Sequence, residues 1–265
     1  MGKTSFNNIL SLPYQAPDQV ISYGDKAFQY AEHWRPATTK SVPLIILIHG
    51  GCWLNEYAAD HVRPLASKLA ERGYAVWSVE YRRVGDIGGG WPGSFEDILD
   101  SINKVRDLEN IDLNNIFLLG HSAGGHLALW AASRFPENSI FSHKLQLKIK
   151  GVIELAAISN LVEYAQGNNS CERVTSRLLG GSPKTHFNRY ELTSPHLLPL
   201  GTNATLIHGE ADSIVNISQS VQLSGTNNNI SLISEPELGH FDLINPNERV
   251  FEHIVHALKK LSEND

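Results

Sequence analysis

Ile116-Phe117-Leu118-Leu119-Gly120-His121-Ser122-Ala123-Gly124-Gly125-His126 decides the fold. The apolar run Ile116 to Leu119 predicts a buried strand. The glycines around Ser122 predict a sharp turn, and the residues from Ser122 to about Arg134 predict a helix. Strand, tight turn and helix in that order fit G-x-S-x-G, a turn that lifts a serine hydroxyl above the edge of a sheet. A glycine-rich phosphate loop or an ordinary tight turn is the alternative reading of the same letters.

The same alternation extends on both sides. Leu44 to Ile48 is a continuous apolar run ending in His49-Gly50-Gly51, as expected of a strand covered on both faces. Tyr57 to Arg72 carries Ala58, Val62, Leu65, Leu69 and Ala70 at helical spacing and stops at Gly73. Further strands are predicted at 74–80, 150–158, 204–207 and 230–234, and helices at 95–108, 215–224 and 250–261. Residues 19–35 read as a hairpin turning at Gly24-Asp25. This order predicts an α/β fold, a mostly parallel central sheet with helices on both faces. No compositional break divides the chain, so one domain over 1–265 is expected. The long interval Ser159 to Gly201 is expected to be a small cap insertion, with helices in its 161–179 part.

Composition narrows the partners. The 265 residues are 42% apolar and 19% charged, with 22 basic against 28 acidic residues and a net charge of −6. That balance suits a globular chain and gives little electrostatic support for nucleic acid. No apolar stretch approaches the ~20 residues of a membrane helix. The start, MGKTSFNNIL, has no apolar core of a signal peptide, and Phe6 breaks the myristoylation pattern that begins at Gly2. The expectation is cytoplasmic, with the sequons at Asn168, Asn203, Asn216 and Asn229 read as chance. The two cysteines, Cys52 and Cys171, are too few for a disulfide framework, and Cys52 reads as a small apolar filler. His253-x-x-His256 has helical spacing but no further ligands in sequence, so no metal and no cofactor are expected. The sequence carries no signature of oligomeric state.

A serine nucleophile needs a base and a carboxylate that orients the base. In a parallel sheet these sit in loops at the carboxyl ends of later strands. Asp212, in His208-Gly209-Glu210-Ala211-Asp212, is the expected acid, with Glu210 and Asp242 as rivals. His240, in Gly239-His240-Phe241-Asp242, is the expected base among 12 histidines. His49 and His208 end strands and are expected to brace their loops. The tetrahedral oxyanion would be held by the Ala123 N–H with those of Gly51 and Cys52. Trp53 either walls a substrate pocket or packs under its loop. Trp91, in Gly88-Gly89-Gly90-Trp91-Pro92, either faces substrate or anchors its loop.

Over residues 20–262 the chain resembles α/β-hydrolases of the esterase/lipase group. His49-Gly50-Gly51-Cys52-Trp53 is similar to the HGGxW form of kynurenine formamidases and related esterases. Tyr81-Arg82-Arg83, the Gly85–Gly93 loop and Gly120 to His126 are similar to the same subgroup. The resemblance implies Ser122 as nucleophile, Asp212 as acid, His240 as base and Gly50–Gly51 as oxyanion loop. It implies a small ester or formamide as substrate. Prolyl-oligopeptidase-type peptidases and feruloyl and acetyl-xylan esterases are further relatives of the group. The function expected is hydrolysis of a small carboxylic ester through an acyl-enzyme. The alternatives are arylformamidase, peptidase and a non-catalytic ligand-binding protein.

Overall fold

The computed structural model describes residues 4–263. Residues 1–3, which include the Gly2 position, and 264–265 lie outside the described residues. Eight strands form one sheet: β1 Gln19–Ser22, β2 Tyr30–Trp34, β3 Val42–Ile48, β4 Ala75–Val79, β5 Ile111–His121, β6 Gly151–Leu155, β7 Asn203–Gly209 and β8 Ile230–Glu235. Their order across the sheet is β1-β2-β4-β3-β5-β6-β7-β8. The β1/β2 hairpin is antiparallel and joins β4 antiparallel, and every later pairing is parallel. This is the α/β-hydrolase fold.

The helices are α1 Phe6–Leu10, α2 Arg63–Glu71, α3 Gly93–Lys104, α4 Ala123–Ala131, α5 Leu161–Tyr164, α6 Ser170–Leu178, α7 Phe187–Thr193, α8 Ser218–Ser224 and α9 Val250–Glu263. Alternate residues of β3 point to opposite faces, which is why its run has no polar side. Leu44, Ile46 and Ile48 pack with α3 and α4, whereas Ile45 and Leu47 pack with α2 and α9. Among the described residues no helix is long and apolar enough to cross a membrane.

Two predicted helices begin later than the periodicity suggested. The stretch from Tyr57 opens as a 3-10 turn, Ala59–Val62, before α2 starts. Glu80 takes the Ala59 N–H at 3.0 Å, and Pro64 marks the first turn of the true helix. The stretch from Val215 becomes helical only at Ser218, because the Asp212 carboxylate holds the Ile214 and Val215 N–H groups at 2.8 and 2.9 Å. Conversely β5 begins at Ile111, five positions before its apolar run.

The interval 159–201 carries α5, α6 and α7. It is stitched to the sheet-edge loops. Trp91 N–H donates to the Leu178 carbonyl at 2.7 Å, and Asn169 Nδ2 donates to the Ile214 carbonyl at 3.2 Å. Trp130 and His126 on α4 reach the Leu192 and Thr193 carbonyls at 2.9 and 2.7 Å.

Candidate active site

Ser122 sits between β5 and α4 with φ 56° and ψ −121°, in left-handed backbone that a non-glycine residue adopts only under constraint. Its N–H is held by the Leu155 carbonyl at 2.8 Å. The neighbouring glycines allow the close packing. A Cβ on Gly120 would lie 2.2 Å from the Gly124 carbonyl oxygen, and one on Gly124 would lie 2.1 Å from that of Ile48. Among the described residues Ser122 Oγ makes no hydrogen bond, and the residue is only 2% exposed.

His240 and Asp212 meet. His240 Nδ1 lies 2.6 Å from Asp212 Oδ2, and the Asp212 side chain is fully buried. Burial pushes the Asp212 carboxyl upward, but the His240 hydrogen bond and the two loop amides outweigh it and hold it below the usual range. The loops carrying the pair are also joined, since Ala211 N–H donates to the Leu238 carbonyl at 3.0 Å. The rival carboxylates are committed elsewhere. Exposed Glu210 accepts from Ser234 Oγ at 2.5 Å, and buried Asp242 accepts the Gly239 and Thr4 N–H groups.

His121 links the elbow to this pair. Its Nε2 lies 3.0 Å from the His240 carbonyl oxygen, so Nε2 carries the proton. Its buried Nδ1 has no partner among the described residues. Burial, then the neighbouring His240, pushes His121 well below the ordinary histidine range, which keeps it neutral.

The glycine loop after β3 lies against the elbow: a Cβ on Gly50 would stand 2.9 Å from the His121 carbonyl oxygen and 3.1 Å from Ser122 Cβ. Gly51, Cys52 and Trp53 are all left-handed, with φ of 102°, 54° and 58°. The Gly51 and Cys52 N–H groups donate to nothing among the described residues, and the Ala123 N–H is an unpaired donor of the first turn of α4. Beneath the loop, the His49 ring bridges the Gly50 carbonyl at 2.7 Å and Glu80 at 3.0 Å. Arg83 pairs with Glu80 at 3.0 Å, and Tyr81 OH donates to the His49 carbonyl at 3.2 Å. Tyr81 and Arg83 are thus the floor of this loop, whereas Arg82 turns away to Asp97 at 2.6 Å. His208, as expected, braces its own loop, through Ser220 Oγ at 2.7 Å and the Val215 carbonyl at 3.0 Å.

One sequence reading is corrected, and two open alternatives are decided. Cys52 is not a filler: it forms a disulfide with Cys171, Cα–Cα 5.0 Å, which ties the glycine loop to α6. Trp53 does not wall a pocket. It is fully buried and donates from Nε1 to His126 Nδ1 at 3.2 Å, so it packs under its loop. Trp91 packs edge-on against Phe95 and Phe141 and lies under Arg189, the contacts of a loop anchor. Sequence reasoning also passed over His121 as a link, and over Glu154 and Ser220, since an isolated Glu or Ser carries no motif. No cluster of His, Cys, Asp or Glu that could hold a metal occurs among the described residues.

A strained serine after β5, a buried carboxylate–imidazole pair beyond β7 and β8, and free amides after β3 define an α/β-hydrolase of the esterase/lipase type. Residues 33–226 match the BD-FAE family, and the chain belongs to it. It is 25% identical over 252 residues to esterase LipC of Mycobacterium tuberculosis, covering 84% of this chain and 60% of that protein. It is 26% identical over 220 residues to a probable isoprenylcysteine alpha-carbonyl methylesterase of Oryza sativa subsp. japonica, covering 77% of this chain and 52% of that one. The chain therefore spans little more than half the length of these curated relatives. Among solved structures, a truncated carbohydrate esterase from gut microbiota superposes with a TM-score of 0.77 at 20% identity, covering 94% of this chain and all of that one (100%). Esterase B from Lactobacillus Rhamnosis HN001 gives 0.77 at 21% identity, over 94% of this chain and 87% of that one. At such identities the likeness speaks to the fold.

Proposed function

We propose that the chain hydrolyses a small carboxylic ester through a Ser122 acyl-enzyme. The observation that carries this reading is the 2.6 Å contact of His240 Nδ1 with buried Asp212, on a loop that His121 fastens to the Ser122 elbow. The esterase names of the related proteins support the same chemistry.

In the reaction, His240 Nε2 takes the Ser122 proton as Oγ attacks the ester carbonyl carbon. Asp212 holds the Nδ1–H tautomer and stabilises the imidazolium. The N–H groups of Gly51, Cys52 and Ala123 receive the oxyanion, in the loop that Gly50 lets approach the elbow. Collapse of the tetrahedral intermediate breaks the ester C–O bond, and His240 gives its proton to the departing alkoxide. Water then repeats the sequence on the acyl-enzyme and frees the acid. The interval 159–201 acts as a cap on a single domain. With Ser122 at 2% and His240 at 6% exposure, the approach is narrow, which favours a small acyl group. The Cys52–Cys171 pair favours an oxidising compartment over the cytoplasmic expectation, since disulfides are rare in the cytosol.

The test is fluorophosphonate labelling together with kcat/KM for a short-chain nitrophenyl ester and for N-formyl-L-kynurenine. Labelling and ester turnover that vanish in Ser122→Ala, with the fold retained, are expected. Labelling that persists in that variant removes Ser122 from the nucleophile role. A formamide rate far above the ester rate makes the chain an arylformamidase, and failure to hydrolyse any activated ester revives the ligand-binding alternative.

A further inference from the structure

Beside Asp212, ending at the same Oδ2 that His240 contacts, lies a line of buried polar groups that the reaction above does not use. Glu154 on β6, Ser220 on α8 and His208 on β7 are each no more than 1% exposed. Glu154 Oε1 is 2.8 Å from Ser220 Oγ, which is 2.7 Å from His208 Nδ1. His208 Nε2 is 3.0 Å from the Val215 carbonyl oxygen and 3.6 Å from Asp212 Oδ2.

Donor accounting fixes the protons. Glu154 Oε2 accepts the Ala157 N–H at 2.5 Å, so it is the carbonyl-type oxygen, and any carboxyl proton sits on Oε1. His208 Nε2 faces an oxygen that can only accept, so it must carry hydrogen. Ser220 has a single hydrogen between two neighbours. The chain is therefore complete only with one further proton in it. Either Glu154 is the acid, donating to Ser220, which donates to a bare His208 Nδ1, or that proton has moved along to make Glu154 anionic and His208 cationic. The two arrangements differ by a shift of two protons along the same line. Burial favours the uncharged one, because it pushes Glu154 up to about 7 and pushes His208 down.

We propose that Glu154, Ser220 and His208 act as positioning residues for Asp212: a shared proton locks His208 with Nε2–H turned to Val215 and Asp212, which holds the carboxylate square to His240. The inference rests on the reading of Asp212 and His240 as acid and base. The charged and titratable groups that face this line are Asp212, His240 and, across the elbow, His121. Without the Ser220 hydroxyl only the Val215 carbonyl still orients the imidazole, and the ring can tilt about that one contact. The Nε2–H would then turn away from Asp212, the carboxylate would shift, and it would stabilise the imidazolium of the working base less.

The experiment compares Ser220→Ala, Glu154→Gln and Ser122→Ala in the full chain, by kcat and KM for an activated ester from pH 5 to 9. In Ser220→Ala, kcat is expected to fall about tenfold, the loss of one buried hydrogen bond, with KM within about twofold. The acid-side midpoint of kcat/KM is expected at lower pH, since a less stabilised imidazolium forms only in stronger acid. Glu154→Gln is expected to match wild type at pH 6, because the amide carbonyl takes Oε2's place and its N–H takes the acid's. A Ser220→Ala enzyme with wild-type kcat and midpoint overturns the proposal, and so does a tenfold impaired Glu154→Gln. Should Ser220→Ala not fold, Glu154→Met against Glu154→Gln carries the same contrast, and equal activity of the two overturns it. An active Ser122→Ala would instead overturn the hydrolase reading itself. An inactive one beside an unimpaired Ser220→Ala would sink the positioning role alone.

Discussion

His121 Nε2 lies 3.0 Å from the His240 carbonyl oxygen, and the two imidazoles, tilted at 49°, have centroids 4.5 Å apart. The residue before the candidate nucleophile therefore grips the backbone of the candidate base. Both side chains must hold their places for Ser122 Oγ to find His240 Nε2. Replacing His121 with Ala leaves a buried carbonyl unpaired and a cavity beneath the ring. We expect kcat to fall about tenfold or more, with a stability loss of about 2–3 kcal/mol. Fluorophosphonate labelling is expected to be slowed, not abolished. Wild-type turnover in His121→Ala would show that the elbow does not position His240.

Asp212→Asn separates the acid from its rivals. The Asn carbonyl can keep the Ile214 and Val215 N–H groups, but an amide N–H now faces His240 Nδ1. That favours the wrong imidazole tautomer, which costs on the order of 10⁴ in kcat where this has been measured. Glu210→Gln, on an exposed side chain bonded to Ser234, is expected to stay within about twofold. Steady-state kinetics on the two variants decides it, and an active Asp212→Asn would pass the role to another carboxylate.

The sequence made the scaffold legible where chemistry is local. Gly120 to Gly124 must be a sharp turn because no larger residue fits between Ile48 and the new helix. Asp212 and His240 could be placed because each follows a strand by a few residues at the carboxyl edge. Where a distant group decides the local structure, pattern reading stopped short. The start of α2 is set by Glu80 on another segment, and the start of α8 by the Asp212 carboxylate. Trp53 looked the same in sequence whether it faced substrate or His126, because only packing chooses. The Cys52–Cys171 pair spans 119 positions and leaves no local mark.

That crosslink carries its own prediction. It joins the loop of the proposed oxyanion donors to α6, and Asn169 at the head of α6 also holds the Ile214 carbonyl in the acid loop. Closing so long a loop removes unfolded-chain entropy worth about 4–5 kcal/mol in the chain-entropy view, with typical measured effects of about 2–4 kcal/mol. Cys171→Ser is expected to lower the denaturant midpoint accordingly and to lower kcat more than it raises KM, since the loop and α6 can part and the oxyanion donors act in the transition state. Thiol titration of the unfolded wild type without reductant is expected to find neither cysteine free. Two titratable thiols in protein prepared without reductant would remove the crosslink from the account.

Two buried groups make opposing contributions to stability as pH changes, and one substitution exposes them. Burial pushes Glu154 up to about 7 from 4.5, despite the Ala157 and Ser220 hydrogen bonds that oppose it. Between those values the native chain holds a proton that the unfolded chain has lost, so stability falls as pH rises, by about 3 kcal/mol across the window. Burial pushes His126 down from 6.5 to about 4, despite its bond to the Thr193 carbonyl. There the unfolded chain binds the extra proton, so stability rises with pH by a similar amount between about 4 and 6.5. In wild type the two slopes largely cancel. Glu154→Gln removes only the first. Its stability relative to wild type is expected to increase steadily from pH 4.5 to 7 and to level off above that. Urea unfolding of both proteins at pH 5, 6, 7 and 8 measures this difference directly. A difference independent of pH would mean that the line takes up no proton on folding, on Glu154 or on His208, and the shared proton beside Asp212 would go with it.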